Sequence, residues 1–365
     1  MAIVGGLDVH RRQLTFDYAD TETGAVVRGQ IAPADRLHLA AWLTRFSGVP
    51  EVSFAFEAGT GWRFVYEEIH SAGLGAALAQ PADTAALRGK RRKAKTDRAD
   101  SKLLRETLAA GRIPGCYIPP AHVLDCRALL EAYNDLRREH TGWIQRAHAV
   151  LFHHGAPALA AGQLSAAASR GQVLAEVAPL VSAAARIQLR VTAAILDILE
   201  EHLDGVRREL VGRSRRMRGA RVLVQTLYGV GPITALALVC WLGGADRFTS
   251  SRQAVRFAGL DVTVHSSDSK RGPGHLSRQG PGVLRWCLYE AGKTSARSSA
   301  PEHAYYAAVK DRIDGKRAAL AQARRIVRHA CHLLQDLGDD AFTVTAHTTP
   351  ARVAARPASA LPPAA

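Results

Sequence analysis

The sequence predicts an α/β first domain followed by a predominantly helical remainder. Three observations predict it. Short apolar strands alternate with segments of helical period over residues 1 to about 118. Leucines then recur at seven-residue spacing within residues 119–218, and residues 219–343 read as a second helical domain. Residues 344–365 form a Pro- and Ala-rich tail whose composition predicts disorder.

Within the first domain, Ile3 to Leu7 is an apolar strand that ends at Asp8. Leu14 to Tyr18 and Ala25 to Gln30 follow as strands, separated by the turn-like Asp20 to Gly24. Pro33 to Phe46 has helical periodicity through Leu37, Leu39, Trp42 and Leu43, with Pro33 suited to a first turn. Val52 to Phe56 is a strand that ends at Glu57 and is broken by Gly59-Thr60-Gly61. Trp62 to Ser71 reads as a helix and Gly75 to Ala79 as a strand. From about Thr96 a helix carries Leu103, Leu104 and Leu108.

In the middle segment Leu189, Leu196, Leu203 and Leu210 recur every seven residues, with Leu199 and Val206 between them and Thr192 a polar exception. The pattern fits a short coiled coil or one amphipathic helix packed within its own domain. Gly155 to Ala168 reads as a linker or hairpin.

With 365 residues the chain has room for two or three cored domains. Lys and Arg number 48 against 33 Asp and Glu, a net charge of +15 that points to a polyanionic partner such as nucleic acid. The five cysteines, Cys116, Cys126, Cys240, Cys287 and Cys331, are odd in number and show no CxxC spacing. That argues against structural zinc and a disulfide framework, and for a reducing cytoplasm. No signal peptide is expected, and the longest apolar run, Ile233 to Leu242, is about half of a membrane span.

The chemistry concentrates in Lys95-Thr96-Asp97-Arg98-Ala99-Asp100-Ser101, which follows the basic run of Arg88, Lys90, Arg91, Arg92, Lys93 and Lys95. Asp97 and Asp100 are three residues apart and share a helix face. The cations before them suit a polyanion. Asp8 and Glu57 end strands, where side chains reach the lip of a sheet. Singly, each carboxylate has a plainer explanation as a turn, cap or surface charge. Together, the four can hold two divalent ions about 4 Å apart for phosphodiester chemistry, and all-oxygen ligands suit magnesium.

The residues Gly6-Leu7-Asp8-Val9-His10, Phe56-Glu57-Ala58-Gly59-Thr60-Gly61 and Lys95-Thr96-Asp97-Arg98-Ala99-Asp100 resemble the RuvC-like half of the DEDD-type insertion-sequence transposases of the IS-one-ten type, to which pilin-gene invertases are related. The resemblance implies an RNase H/RuvC-like fold for residues 1–118 and a metal site on Asp8, Glu57, Asp97 and Asp100. It covers about residues 3 to 343.

In the second half, Leu227 to Ala235 has the form of a helix-hairpin-helix turn, in which Gly229 and Gly231 let backbone N–H groups approach a phosphate. Val264 to Arg271 is a polar, Ser-rich, basic loop. Its surroundings resemble the family's C-terminal domain, which carries a nucleophilic serine. Phe257-Ala258-Gly259-Leu260 places that serine on Ser267, with Ser266 and Ser269 as competitors and Ser277 a distant one. Val262 and Asp268 depart from the family's proline and glycine. Lys270, Arg271, Arg278 and Arg285 complete the expected nucleic-acid contacts.

The resemblance thus implies a transposase or site-specific recombinase that joins DNA through phosphoserine, with magnesium. It further implies a structured noncoding guide RNA and a homodimer or homotetramer held by the Leu189–Leu210 seam. A bacterial, nucleoid-associated location would follow. The alternatives are a RuvC-like structure-selective nuclease without serine chemistry, and a non-catalytic DNA-binding remnant.

Overall fold

The computed structural model describes residues 2–87, 96–160, 162–263, 266–267, 270–271 and 274–345. The basic run at 88–95, Ser269 and the tail from 346 lie outside the described residues. The chain divides into two compact units, Met1–Ile118 and Pro119–Ala365.

The first unit contains β1 (Ala2–Val9), β2 (Leu14–Asp20), β3 (Val26–Ile31), α1 (Arg36–Leu43), β4 (Glu51–Glu57), α2 (Trp62–Ser71), β5 (Gly75–Ala79), α3 (Pro81–Ala86) and α4 (Asp97–Ala109). The strands form one sheet of order β3-β2-β1-β4-β5. β1, β2 and β3 run antiparallel in sequence, whereas β4 lies parallel to β1 and β5 parallel to β4. A short hairpin can join the first three strands, but each parallel pairing needs a crossover, which α1 and α2 supply.

Alternating side chains of the strands build the core. Phe54 and Phe56 are both 0% exposed, and full burial of one such ring contributes about 1.5–3 kcal/mol. Trp42 of α1 packs at a tilt against Phe16, ring centroids 4.8 Å apart, and edge-on against Phe46 at 5.1 Å. α1 begins later than the expected Pro33: Asp35 caps it by accepting from the His38 N–H at 2.9 Å. A single turn of 3-10 helix, Thr44–Phe46, completes the segment.

The second unit contains α5 (Ala121–His153), α6 (Ala167–Val177), α7 (Ala183–Arg216), α8 (Arg218–Thr226), α9 (Pro232–Leu242), α10 (Ser251–Phe257), the two-residue strands β6 (Val262–Thr263), β7 (Ser266–Ser267), β8 (Lys270–Arg271) and β9 (His275–Leu276), α11 (Gly282–Lys293), α12 (His303–Arg312) and α13 (Gly315–Leu337). α9 is apolar all round, and every residue from Ala235 to Leu242 is buried, so it forms the axis of this core. Leu130 of α5 and Leu210 of α7 belong to the same core. Ala147, Leu151 and Leu189 form a second cluster at the other end of the pair, so α5 and α7 run antiparallel.

The heptad leucines are therefore occupied inside the chain. Leu189, Leu196 and Leu210 are buried at 3%, 1% and 0% exposure. The seam packs as the amphipathic-helix alternative describes, and it is not a free surface for holding subunits. α6, which starts at the end of the expected linker and continues into the segment read as helical, is fastened by Arg170, which is 2% exposed and pairs with Asp197 and Glu200 of α7. No helix among the described residues is long and apolar enough to cross a membrane.

Candidate metal centre and nucleic-acid interface

β1 occupies the middle of the sheet and ends beside β4. The register pairs Leu7 with Phe56, so Asp8 and Glu57 each lie one residue further along neighbouring parallel strands. Both are half-buried. α4 supplies the other acids. Thr96 caps it, accepting from the Ala99 N–H at 3.2 Å, and Asp97 and Asp100 fall in its first turn. There the helix dipole favours negative charge.

Two features fix α4 against the sheet. A Cβ on Gly6 would meet the Ser101 carbonyl oxygen at 2.0 Å and the Arg105 nitrogen at 2.7 Å. Only glycine permits this approach of helix to strand. In addition, Asp17 of β2, 1% exposed, pairs with Arg105 of α4 and with Arg28 of β3, the latter at 2.7 Å. A buried carboxylate needs such partners, and they tie three elements together.

Asp8 and Asp97 consequently converge across His10. His10 Nε2 lies 3.1 Å from Asp8 Oδ2 and 3.5 Å from Asp97 Oδ1. Gln13 Nε2 donates to Asp97 Oδ2 at 3.4 Å. One donor atom each from Asp8, His10 and Asp97 lie within 4.8 Å of one another. Opposite ligands of a divalent ion, each about 2.0–2.6 Å from it, span such distances. Burial pushes the Asp8 carboxyl above the ordinary carboxylate range; His10 opposes the rise, and the charges of Asp100 and Asp97 add to it. Asp100 is thus close enough to act on Asp8. Glu57 stands beside Asp8 by strand register.

His10 is the residue that the four-carboxylate reading omits. The sequence offered only its spacing, two residues beyond Asp8, at the turn that follows the strand, where its N–H donates to the Gln13 carbonyl oxygen. His10 also makes the donor set mixed nitrogen and oxygen, which widens the fitting ions from magnesium to manganese and zinc.

In the second unit, Gly229 turns the chain between α8 and α9 with φ of 77°. A Cβ on it would meet Thr294 Oγ1 at 2.1 Å, so its role there is close packing against the end of α11. Gly231 caps α9, and a Cβ on it would meet nothing within 4 Å. An open cavity of about 590 Å³ lies at this turn, with Tyr228, Thr294 and Arg297 among its walls. Both glycines line this cavity.

β6 pairs with β9, and β7 pairs with β8, with Ser266 opposite Arg271 and Ser267 opposite Lys270. Sequence periodicity gave no sign of these strands. Ser277 donates to Asp261. Arg278 has a left-handed φ of 52°. Arg285 is half-buried, its Nη1 3.5 Å from the Gly280 carbonyl oxygen. Burial and the charge of Arg278 lower the pKa of its guanidinium.

Carboxylates held at the ends of the central strands, in a strongly basic chain, are the makings of a site for metal-assisted chemistry on nucleic acid. A family model described as Transposase, of the DEDD type named for IS110, matches residues 5–154. A second, described as Transposase IS116/IS110/IS902 family, matches residues 221–307. A search of curated proteins finds no match to the chain. The two family models fall in order and together cover well over half of the sequence, and the chain belongs to the IS110-type DEDD transposases. It is therefore an enzyme of DNA transposition, and DNA is its substrate.

Proposed function

We propose that this transposase cuts and rejoins the ends of an insertion sequence by combining a metal centre in residues 1–118 with a serine in residues 219–343. The observation that carries the reading is the convergence of Asp8, His10 and Asp97 at the end of the central strand of a sheet ordered β3-β2-β1-β4-β5. Three antiparallel strands followed by two parallel ones are what an RNase H/RuvC-like domain requires. Asp8, Asp97 and Asp100, with Glu57 alongside, would hold one or two divalent ions, magnesium or manganese. Ions so held neutralise phosphate charge and stabilise the leaving oxygen.

Ser267 is the proposed nucleophile, with Ser266 and Ser269 as the competing positions. Its hydroxyl oxygen bonds phosphorus while a deoxyribose oxygen leaves, giving a phosphoserine link that a second strand end later displaces. The register of Ser267 opposite Lys270, next to Arg271 opposite Ser266, supports this by bringing cationic residues into the same hairpin. The basic run Arg88–Lys95 and Gly231 would hold the backbone. The net charge of +15 also suits a structured guide RNA, with base pairing supplying sequence. Ile187, Val191 and Ile198, exposed on α7, offer a surface for a homodimer or homotetramer.

A plain metal-dependent nuclease is the second reading, favoured by a cluster whose three donors all come from the first unit. Two substitutions separate the two. Ser267→Ala abolishes joining and the covalent adduct in the recombinase but leaves a nuclease unchanged. Asp97→Asn with Asp100→Asn lowers cleavage at least about 100-fold in both, since even indirect support of a metal ligand is worth about 10–100-fold. Trapping the protein on a junction oligonucleotide and identifying the adducted peptide by mass spectrometry decides the matter. An adduct on no serine of the hairpin removes the serine chemistry, and intact cleavage in the double variant removes the metal site.

A further inference from the structure

Beside the acidic cluster lies a cavity of about 510 Å³. Val9, Ala34 and Phe64 form its walls, and His10, Arg11 and Thr60 its rim. We propose that this cavity receives one unpaired nucleobase of the strand being cut, so that the enzyme engages DNA with a base turned out of the stack next to the scissile phosphate. The inference rests on the metal-centre reading given above and adds a nucleotide subsite to it.

Four observations support the assignment. The volume lies in the range of pockets that enclose small ligands, and apolar walls with a few polar rim atoms suit a flat ring with polar edges. A pocket for phosphate alone would be lined by donors, whereas among the described residues the lining pairs Arg11 and His10 with the apolar Val9, Ala34 and Phe64. Phe64 is half-buried, held by the sheet core, and offers a stacking face.

His10 belongs to the rim and also sits 3.1 Å from Asp8, so the cavity and the cluster share this residue. A base in the one and a phosphate at the other belong to the same or adjacent nucleotides. Finally, Gly61 keeps the slot open. Its φ is 92°, and a Cβ on it would lie 3.4 Å from Val9 Cγ1 and 3.5 Å from the Phe64 ring, between the two walls.

The energetic consequence is selectivity. Taking a base out of a duplex costs a few kcal/mol, and less at a mismatch, a melted end or a junction. The pocket therefore favours strands whose base next to the cut is already unpaired.

The test uses the full chain and a set of element-junction oligonucleotides with one abasic site moved along the cut strand. Binding is read by fluorescence anisotropy and cleavage by gel. For the wild type, an abasic site at one position next to the cut weakens binding by about 10-fold, the effect of one stacked base. Phe64→Leu, which keeps apolar volume and removes the ring, loses the same factor on the intact strand and nothing further on that abasic strand. Phe64→Tyr retains wild-type affinity.

Equal binding to every abasic strand overturns the proposal, as does a uniform loss by Phe64→Leu on all of them. Failure of the metal-centre reading shows separately, as wild-type chain that neither binds manganese nor cleaves any strand of the set.

Discussion

The two candidate sites of this transposase are built in opposite ways. The acidic cluster is assembled by its scaffold: Asp8 leaves the central strand, Asp97 opens a helix pressed onto that strand, and Asp17 ties the helix to two further strands. The serine-bearing hairpin stands on strands of two residues each, while the tight core of its unit runs through α9. The contrast has a physical reason. Like charges repel until a cation arrives, so rigid elements must hold them together beforehand. A neutral hydroxyl carries no such penalty, and the substrate can complete its position.

The largest effect expected from this comparison is structural. Asp17→Ala removes the buried carboxylate shared by Arg105 and Arg28 and destabilises the first unit by about 3 kcal/mol, the scale of a broken buried pair. Hydrogen exchange should show β1, β2 and α4 losing protection while α9 and α13 keep theirs. Equal loss in both units would mean that the cluster's scaffold is not local.

Next in size is His10→Ala, which removes one donor and leaves the fold. Manganese affinity, measured by titration calorimetry, should fall about 10-fold. Unchanged affinity would reduce His10 to a hydrogen-bonding neighbour and restore an all-carboxylate site.

The smallest effect sharpens the role of Asp8. Burial raises its pKa. A carboxyl with a raised folded pKa favours the fold when protonated; that contribution is complete below the unfolded value and is lost as pH rises through the folded one. At neutral pH the metal-free site therefore bears a cost that a bound divalent ion offsets. The manganese-induced rise in Tm should be greatest near neutrality and shrink toward acid, by on the order of 2–4 °C. A rise that grows in acid would take Asp8 out of the metal set.

Much of the first unit was legible because its elements carry their own signals. The helix at Trp62–Ser71 and the strand at Gly75–Ala79 have the bounds that periodicity and glycine breaks predict. Asp8, Glu57 and Asp97 declared themselves as acids at element ends. His10 did not, because a histidine in a turn has many roles and only the approach of Asp97 from 87 residues away gives it this one. The segment holding α6 read as helical, but its start and its anchorage did not show, because the fastening is a tertiary ion pair through Arg170 beside an Ala-rich linker. The heptad leucines were seen, but their pattern cannot tell a partner helix in another chain from α5 in the same one. The small strands around Ser267 are too short to show a period.

Gly6 has a consequence that reaches beyond stability. Because backbone rests on backbone there, the gap between the strand bearing Asp8 and the helix bearing Asp97 cannot be retuned by swapping neighbouring side chains. Adaptation of this centre to an ion of another radius would have to proceed by exchanging the donors themselves, with the aperture unchanged.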